Sequence, residues 1–338
     1  RVGTVPGLAA THTFSHKDWL IAIGGGMFID RAGTMKWNTR DDADPNYPGA
    51  IDGPQRWSGI STRFVILSPG AGLAVGHKKS GLSFGATVIL NYADLTTVRA
   101  QNVGRTDQVV DDRGQLSEGR ILVKNAKDFE AAFVAGLRWD VSDKVTLAAT
   151  WHQAVDYELE GDVLITFGLA EETRAPSRLE LPVPHTVRSG IELRLWPRLT
   201  LRHDLEFAQW SVFQRQRSVN VDNGELLLDV AREFRDTYKN RLSSEWQLKD
   251  DLALLGSLAY ETAATPTHTH EAGLAESASI EAGTGLVWNL GSRWTIKSSF
   301  LWQQFEDVTV TNSVQRPPQN GHYTDRRLYL TLEMEARW

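Results

Sequence analysis

The last segment of the chain, from Arg327 to Trp338, alternates strictly between apolar and polar residues. One face carries Leu328, Leu330, Leu332, Met334, Ala336 and Trp338, and the other carries Arg327, Tyr329, Thr331, Glu333, Glu335 and Arg337. Such period-two alternation predicts a β-strand with two different faces. Strands of soluble sheets usually have about five or six residues, whereas a strand that crosses a bilayer at a tilt has about ten. The segment therefore favours a membrane strand with one face toward lipid.

Similar two-faced segments recur along the chain, joined alternately by short turns and long polar connections. Turns rich in Gly, Pro, Ser, Asp and Lys lie at Ser15–Asp18, His77–Gly81, Ser142–Lys144, Trp196–Arg198, Lys249–Asp251 and Gly291–Arg293. Long connections are expected at Arg31–Trp57, Arg99–Ala126, Gly161–Pro184, Arg217–Glu233, Thr262–Ser277 and Asp307–Tyr323. Short turns at one rim and long loops at the other are typical of outer-membrane barrels, whose long loops lie outside the cell.

The polar faces of these segments carry ionisable residues; Arg188, Glu192 and Arg194, for example, share one side of a strand. Repeated charges are costly in a dry core, so they indicate a wide, water-filled interior. Tryptophans lie close to the short turns and the C-terminus, at Trp19, Trp139, Trp196, Trp246, Trp288, Trp294 and Trp338. Amphipathic rings of this kind collect at membrane–water interfaces. A soluble sandwich capped by aromatic residues is the competing interpretation.

The composition excludes two other classes of protein. Helical membrane spans need about 18 or more largely apolar residues in a row, and the chain of 338 residues has no such stretch. The net charge is −6 with acidic and basic residues mixed throughout, which is not the footprint of a nucleic-acid-binding protein. The absence of cysteine is compatible with the outer membrane. The chain begins at Arg1 without a signal peptide, so we expect that a leader was removed or that an N-terminal part is absent.

The turns also predict the number of strands. Six turns join twelve strands, and the terminal strand makes thirteen. Bacterial single-chain barrels have an even number, so we expect one strand to be absent at the N-terminal end. The predicted fold class is all-β: a transmembrane, antiparallel, up-and-down β-barrel that forms a single domain over residues 1–338.

Several motifs in the middle and C-terminal thirds narrow this prediction to a family. They are Leu181–Val187, the turn Trp196–Arg198, Trp210–Phe213 and Phe234–Tyr238, in that order. From about Gly7 to Trp338 the sequence resembles the FadL-like long-chain fatty-acid and hydrocarbon transporters of the outer membrane. The resemblance implies a fourteen-stranded barrel, closed by an N-terminal hatch, from which hydrophobic substrates leave sideways through a kinked strand. The hatch and its Asn-Pro-Ala signature have no counterpart in this sequence.

The resemblance also suggests substrate-binding residues. Arg99 falls where the family has a lumen arginine that holds a carboxylate. The family's second basic position corresponds to Val230, with Arg232 as a neighbour that could substitute for it. A guanidinium group suits a carboxylate through charge-assisted, bidentate hydrogen bonds. The alternative for Arg99 is a structural ion pair with a glutamate of the barrel wall.

Two further features are candidates for the route of the substrate. Gly24, Gly25 and Gly26 interrupt a strand that begins at Trp19, and glycines weaken a ladder; they are the candidate lateral exit, with simple wall curvature as the alternative. The expected loops Arg99–Ala126 and Gly161–Pro184 form the capture surface. The apolar residues for capture are Val163, Ile165, Phe167 and Leu169, and strand extension above the membrane is the competing interpretation.

Signals for metal binding and catalysis are discounted. His268, His270 and Glu271 form a short cluster without an evident outer shell of supporting residues. Asp41, Asp42 and Asp44 lack the spacing of a calcium loop. A serine-hydrolase arrangement depends on geometry that a sequence does not show. We therefore predict no metal, no cofactor and no enzyme activity.

The predicted function is passive uptake of hydrophobic small molecules through the bacterial outer membrane. The expected ligands are long-chain fatty acids or related amphiphiles, and the expected surroundings are outer-membrane lipid and lipopolysaccharide, with no nucleic acid. The alternative is a FadL-like barrel that acts as a structural or docking subunit of a larger surface assembly. A lumen open to a ligand would favour transport, and one filled by side chains would favour the scaffold.

Overall fold

The structure of the protein, a computed structural model, describes residues 7–37, 52–102, 110–167, 172–274 and 276–337. Its strands in chain order are β1 (Leu8–His16), β2 (Trp19–Lys36), β3 (Ser61–His77), β4 (Leu82–Asn102), β5 (Glu118–Ser142), β6 (Val145–His152), β7 (Val155–Phe167), β8 (Thr173–Val183), β9 (Thr186–Trp196), β10 (Leu199–Ala208), β11 (Arg215–Asn220), β12 (Leu226–Ala231), β13 (Thr237–Lys249), β14 (Leu252–Glu261), β15 (Ser279–Leu290), β16 (Trp294–Phe305), β17 (Val308–Val310), β18 (Gly321–Tyr323) and β19 (Arg326–Ala336). Single 3-10 turns lie at Pro54–Trp57, Trp210–Val212 and Thr267–Thr269. Within these ranges, no helix has the length and apolar character needed to cross a bilayer.

Thirteen strands form the part of the sheet next to the short turns. Antiparallel ladders join β1, β2, β3, β4, β5, β6, β9, β10, β13, β14, β15, β16 and β19 in this order. Over the described ranges no ladder joins β1 to β19. The predicted all-β, antiparallel fold and the count of thirteen strands from the six turns are both confirmed.

The wall of the molecule forks along β5, the longest strand. The half of β5 next to the short turns pairs with β6, and its other half pairs with β7. On the side of the long connections, β7 pairs with β8, β8 with β11, and β11 with β12. The predicted loops Gly161–Pro184 and Arg217–Glu233 are therefore largely the hairpins β7–β8 and β11–β12. The expectation of a loop from Arg99 onward is wrong in the same way, since β4 continues to Asn102.

Three of the four motifs that carry the family resemblance lie at the corners of this fork; the fourth, Trp196–Arg198, is the short turn between β9 and β10. The chain leaves β8 at Val183 and enters β9 at Thr186, and it leaves β10 at Ala208 for a 3-10 turn. The backbone N–H of Gln209 donates to the carbonyl of His185, which ties the two corners together. The motifs other than Trp196–Arg198 are therefore near the places where neighbouring strands change their hydrogen-bonding partners.

A second set of contacts fixes the corner that follows β10. Asp236 accepts a hydrogen bond from the Ser211 backbone N–H at 2.9 Å. Phe213 and Phe234 pack edge to face with ring centroids 5.1 Å apart, and both are buried. Aromatic pairs of this geometry add stability beyond their buried area. They hold β11 and β12 above β10 and β13.

The outward faces of the strands are apolar, as the alternation predicts. On β19, Leu330 is 85% exposed and Leu332 is 78% exposed, which is the reverse of a soluble protein's pattern. Six of the tryptophans near the short turns are also exposed, namely Trp19, Trp139, Trp196, Trp246, Trp288 and Trp294. Trp338 lies outside the described residues. A large exposed apolar surface with an aromatic rim fits a lipid environment.

The inner faces differ between the two sides of the sheet. On one side, the pairs Gly24–Gly72 and Gly26–Gly70 join β2 to β3, and residues 19–29, 68–76 and 83–93 contain no charged side chain. We call the inner face of β1–β4 in this region the smooth wall. On the other side, the inner face of β9, β10, β13–β16 and β19 is crossed by ion pairs, and we call it the charged wall. Examples are Arg202–Glu192 at 2.8 Å, Arg202–Glu245 at 2.9 Å and Lys239–Glu281 at 2.5 Å.

Candidate functional site

An apolar cavity of about 940 Å³ lies inside the forked half of the sheet. Its apolar lining includes Leu95, Ile121, Val163, Leu179, Phe213 and Phe234. Leu95, Ile121, Val163 and Leu179 project from strands, so the alternation that creates the outer face also creates this inner one. Phe213 and Phe234 come from the corner between β10 and β13. The cavity reaches β2 at Ile29 and Met35. We call it the apolar cavity.

Charged groups in the lining of the apolar cavity are paired in all cases but one, over the described ranges. Glu271 binds Arg232, Glu261 binds Lys239, and Arg327 binds Asp325 and Glu276. Arg99 has neither an ion pair nor a hydrogen bond from its guanidinium group there. The charges that act on it are those of Glu271 and Arg232. The alternative that Arg99 serves a structural ion pair with a wall glutamate is therefore not what the described contacts show.

Arg232 is engaged by protein groups instead. Its guanidinium group donates to the Glu271 carboxylate at 2.7 Å and to the side-chain oxygen of Gln216. Both Arg232 and Glu271 are almost fully buried. A buried pair of this kind is strongly destabilised when one partner is removed. Arg232 thus serves to fix the segment after β14, and an incoming carboxylate would have to compete with Glu271 for it.

The segment after β14 packs against the one that follows β16. Thr269 donates its hydroxyl to the Arg232 carbonyl, and Gln315 donates to the carbonyls of Ala231 and Thr269. His270 is buried with its ring edge against Tyr323, and its Nδ1 has no hydrogen-bond partner within the described structure. Burial lowers the pKa of His270, and the nearby charge of Glu271 acts in the opposite direction. The neutral imidazole is therefore the form that fits.

The residues of the discounted metal cluster have separate partners. His268 binds the Glu233 carboxylate at 2.8 Å, Glu271 binds Arg232, and His270 faces Tyr323. Over the described ranges, no group of three or more potential ligands is arranged to hold a metal ion. Asp41, Asp42 and Asp44 lie outside those ranges.

Of the predicted capture residues, Val163, Ile165 and Phe167 lie on β7, as the competing interpretation has it. Val163 is 2% exposed and lines the apolar cavity, and Ile165 packs against the same buried cluster. Phe167 ends β7, where it pairs with Gly119, and its side chain is not described. Leu169 lies outside the described residues. The run is the inner face of the β7–β8 hairpin, so the expectation of an exposed loop patch is wrong for Val163.

The three predicted exit glycines also lie inside a continuous strand. Their ladders to β1 and β3 run without a register shift from Trp19 to Ile29, so the expected interruption at Gly24–Gly26 is wrong. The irregularity in the ladder to β3 lies farther along, between Ile29 and Arg31. On the next ladder, from β3 to β4, the pairing skips Ser68 and Pro69. A proline has no N–H for a ladder bond, which accounts for part of this gap.

The sequence alone did not reveal the cavity. Leu179 and Leu181 alternate with Arg178 and Glu180 and could have been recognised as one strand face. Phe213 and Phe234 belong to the family motifs, yet nothing local shows that they meet. The buried glutamines Gln315 and Gln319 were harder still to recognise from the sequence. They lie in the connection between β17 and β18, which has no regular alternation of apolar and polar residues.

Comparison with known families settles the class. The family model described as "Outer membrane protein transport protein (OMPP1/FadL/TodX)" matches residues 71–336. The chain belongs to this family. A member of the OMPP1/FadL/TodX family is an outer-membrane β-barrel transport protein, not an enzyme.

Individual relatives of this family are distant in sequence and close in fold. A 47 kDa outer membrane protein of Pasteurella multocida is 24% identical over 147 residues, which are 40% of this chain and 34% of that protein. The alignment thus covers about a third of that relative. The crystal structure of a Pseudomonas aeruginosa FadL homologue aligns with a TM-score of 0.74 at 16% identity, over 94% of this chain and 75% of that one. The Pseudomonas putida toluene transporter TodX aligns with a TM-score of 0.68 at 15% identity, over 97% and 80%.

Proposed function

We propose that the protein admits hydrophobic molecules that carry one carboxylate, such as long-chain fatty acids, into the outer membrane by passive diffusion. The observation that carries this proposal is Arg99 at the wall of the apolar cavity, whose guanidinium group has no ion-pair partner among the described residues. An ionised carboxylate would supply the charge partner that the described protein groups do not. No cofactor and no energy source enter the proposal.

The dimensions and chemistry of the apolar cavity support this choice of ligand. Its volume of about 940 Å³ lies at the upper end of the roughly 300–1,000 Å³ found for small-molecule sites. A predominantly apolar lining with a few polar groups is the usual composition of such sites. We propose Val163 and Ile165, with Phe167 and Leu169 on the same segment, as contacts for the alkyl chain, Arg99 as the carboxylate partner, and Arg232 as a second basic group behind it.

The exit route is proposed along the smooth wall. Below the apolar cavity, the charged wall offers ion pairs whose disruption or desolvation would oppose an alkyl chain. The smooth wall offers glycines instead, with Gly24, Gly25 and Gly26 of β2 next to the skipped ladder positions of β3. We propose that the ligand leaves here, sideways, into membrane lipid. Lipid and lipopolysaccharide around the exposed apolar faces complete the proposed surroundings.

The alternative, a barrel used as a docking subunit, is less well supported. A scaffold has no need of an interior cavity, whereas the apolar cavity is open inside the sheet and holds an unpaired cation. These features favour transport.

The test is a ligand titration of Arg99→Ala and the unchanged protein. Charge-assisted hydrogen bonds contribute about 1.5–3 kcal/mol, so we expect dodecanoate to bind roughly 10–100-fold more weakly to the variant. An uncharged hydrocarbon such as toluene should bind equally to both proteins. Arg63→Ala is the control, because Arg63 is an arginine of the neighbouring β3 whose side chain is 61% exposed. Equal dodecanoate affinities for Arg99→Ala and the unchanged protein would contradict the proposal.

A further inference from the structure

A second cavity of about 650 Å³ adjoins the apolar one and has a different chemistry. The two cavities share Arg99, Glu271, Leu227 and Leu228 as lining residues. The second cavity extends from the end of β4 across β12 to the segment after β17. Its lining is predominantly polar, and we call it the polar cavity.

The charges around the polar cavity are largely compensated. Arg215 binds Asp229 at 2.6 Å, Glu233 binds His268 at 2.8 Å, and Glu271 binds Arg232. Arg316 is exposed at its edge. Apart from Arg99, the interior therefore offers little net charge to a ligand.

The remaining polar lining is a set of amide side chains. They are Gln101, Asn102, Gln315 and Gln319. The Oε1 of Gln101 is buried and has no hydrogen-bond partner among the residues that the structure describes. Gln315 uses its Nε2 on two backbone carbonyls, and no described donor reaches its Oε1. The Oε1 of Gln319 likewise accepts no hydrogen bond from the described residues, although Gln315 and Gln319 are both buried.

These three carbonyl oxygens make the polar cavity a concentration of acceptors. Of the three, the Oε1 of Gln101 is the one that is itself buried without a described donor; a buried acceptor needs a donor, and an ionised carboxylate has none to offer. Hydroxyl groups donate and accept, so a polyhydroxylated head satisfies the amide oxygens and can also accept from Arg99. A carboxylate head has no donor for these amide oxygens, and its charged partner is Arg99.

We infer that the protein takes a second class of ligand: amphiphiles with an uncharged, polyhydroxylated head, of the alkyl glycoside type. The head occupies the polar cavity, and the alkyl chain occupies the apolar cavity. The inference rests on the proposed function only in that the apolar cavity holds an alkyl chain. It adds a specificity that Arg99 does not provide.

The test uses two soluble probes with the same chain length, octyl glucoside and octanoate. Each is titrated calorimetrically into the full chain in phosphatidylcholine nanodiscs, below its own micelle concentration. The variants are Gln101→Met and Gln319→Met, which keep the side-chain length and remove the amide, and Arg99→Ala. Gln101 makes no side-chain hydrogen bond within the described structure, so its replacement removes no structural contact.

We expect octyl glucoside to bind the unchanged protein and to bind each amide variant about tenfold more weakly, the effect of roughly one lost hydrogen bond. Octanoate should keep its affinity for the amide variants and lose it in Arg99→Ala. If octanoate binds and octyl glucoside does not, the inference is overturned and the proposed function stands. If octyl glucoside binds with the same affinity to the unchanged protein and both amide variants, its head lies elsewhere and the inference is overturned. If neither probe binds, the proposed function fails as well.

Discussion

The smooth wall and the charged wall are built from the same kind of antiparallel ladder but stabilise it differently. On the smooth wall, glycines face the lumen in cross-strand pairs, Gly24 with Gly72 and Gly26 with Gly70, so the backbone itself forms the surface. On the charged wall, side chains bridge strand to strand; Glu281, for example, binds both Lys239 and Arg241. The smooth wall offers a ligand few side chains to bind. The charged wall has ion pairs between neighbouring strands that hold these strands together.

The difference indicates how one sheet can have one side whose strands resist separation and another whose strands separate more easily. Ion pairs between neighbouring strands resist their separation, because separation leaves charges without partners. Glycine pairs resist it only through the backbone ladder, and glycine weakens a strand. We therefore expect substrate passage to depend on the smooth wall and barrel stability to depend on the charged wall. Three predictions test whether substrate passage and stability depend on different walls in this way.

The largest effect is expected from a bulky residue on the smooth wall. In Gly24→Leu, the new Cβ would lie 2.9 Å from Thr11 Cγ2 and 3.3 Å from the Ala10 carbonyl oxygen, so the Thr11 side chain must shift. The strand alternation directs the new side chain toward the lumen. Fatty-acid uptake by cells should fall at least about tenfold, which corresponds to some 1.4 kcal/mol on the barrier. The variant should still fold, as shown by heat-modifiable migration on gels.

The control for this variant is a glycine of the charged wall. In Gly283→Leu, the Cβ would meet Ser257 Oγ at 2.5 Å and Leu301 Cδ1 at 3.2 Å, a comparable crowding. It should leave uptake within about twofold if the two walls differ as we propose. Equal loss of uptake in both variants would show that lumen width alone matters.

A substantial effect on stability is expected from the charged wall. In Glu281→Gln, Arg241 loses its carboxylate partner and Lys239 keeps only Glu261. Because Glu281 is buried while Arg241 is partly exposed, we expect a loss of about 3 kcal/mol in the free energy of unfolding, the lower end for a broken buried pair. Guanidinium unfolding followed by tryptophan fluorescence measures it, and fatty-acid uptake should not change.

Glu333→Gln provides the matched comparison on the same wall. Lys297 binds Glu333 at 2.9 Å, and the glutamate is 55% exposed. Exposed pairs contribute about 0–1 kcal/mol, so this variant should unfold almost like the unchanged protein. If Glu333→Gln lowers the free energy of unfolding as much as Glu281→Gln does, burial does not determine how much these ion pairs contribute to stability.

The smallest effect concerns the segment above both walls, residues 262–278. Burial lowers the pKa of His270, so the docked segment favours neutral imidazole and the undocked segment binds the proton more readily. Docking stability is therefore complete above a pH of about 6.5, the ordinary pKa of histidine, and is lost as the pH falls below it. Amide hydrogen exchange of this segment, corrected for the intrinsic pH dependence, should show reduced protection in acid.

The variant His270→Phe keeps a ring against Tyr323 and removes the titration. Its protection should be independent of pH over this range. The other histidine of this segment, His268, pairs with Glu233 and is unchanged in the variant. Unchanged acid sensitivity in His270→Phe would exclude the buried imidazole as its cause.

The parts of the fold that the sequence predicts are those with local rules. The alternation of Leu328, Leu330 and Leu332 predicts the exposed face of β19, and the turn residues predict six hairpins and hence thirteen strands. The fork is not local: β5 changes partner from β6 to β7 within one uninterrupted strand, and nothing in its own sequence requires this. The hairpins β7–β8 and β11–β12 were interpreted as loops for that reason.

The candidate site divides in the same way. Arg99 was predicted from the resemblance, and the structure adds that it has no described charge partner. The engagement of Arg232 by Glu271 depends on a contact between residues 39 apart in the chain, which no periodicity shows. At Gly24–Gly26, the expected break in the strand does not occur; the three glycines pair in register with Gly72, Ala71 and Gly70 of β3.

The fork at β5 has a consequence for how the protein responds to its host membrane. The ladders of β7, β8, β11 and β12 depend on one another and on the upper half of β5, so the chamber they enclose does not need bilayer lipid to keep its shape. We expect a thinner or thicker bilayer to act mainly on the thirteen-stranded part of the sheet next to the short turns. We therefore expect ligand affinity to be insensitive to the acyl-chain length of the surrounding lipid, even where the rate of passage changes with it.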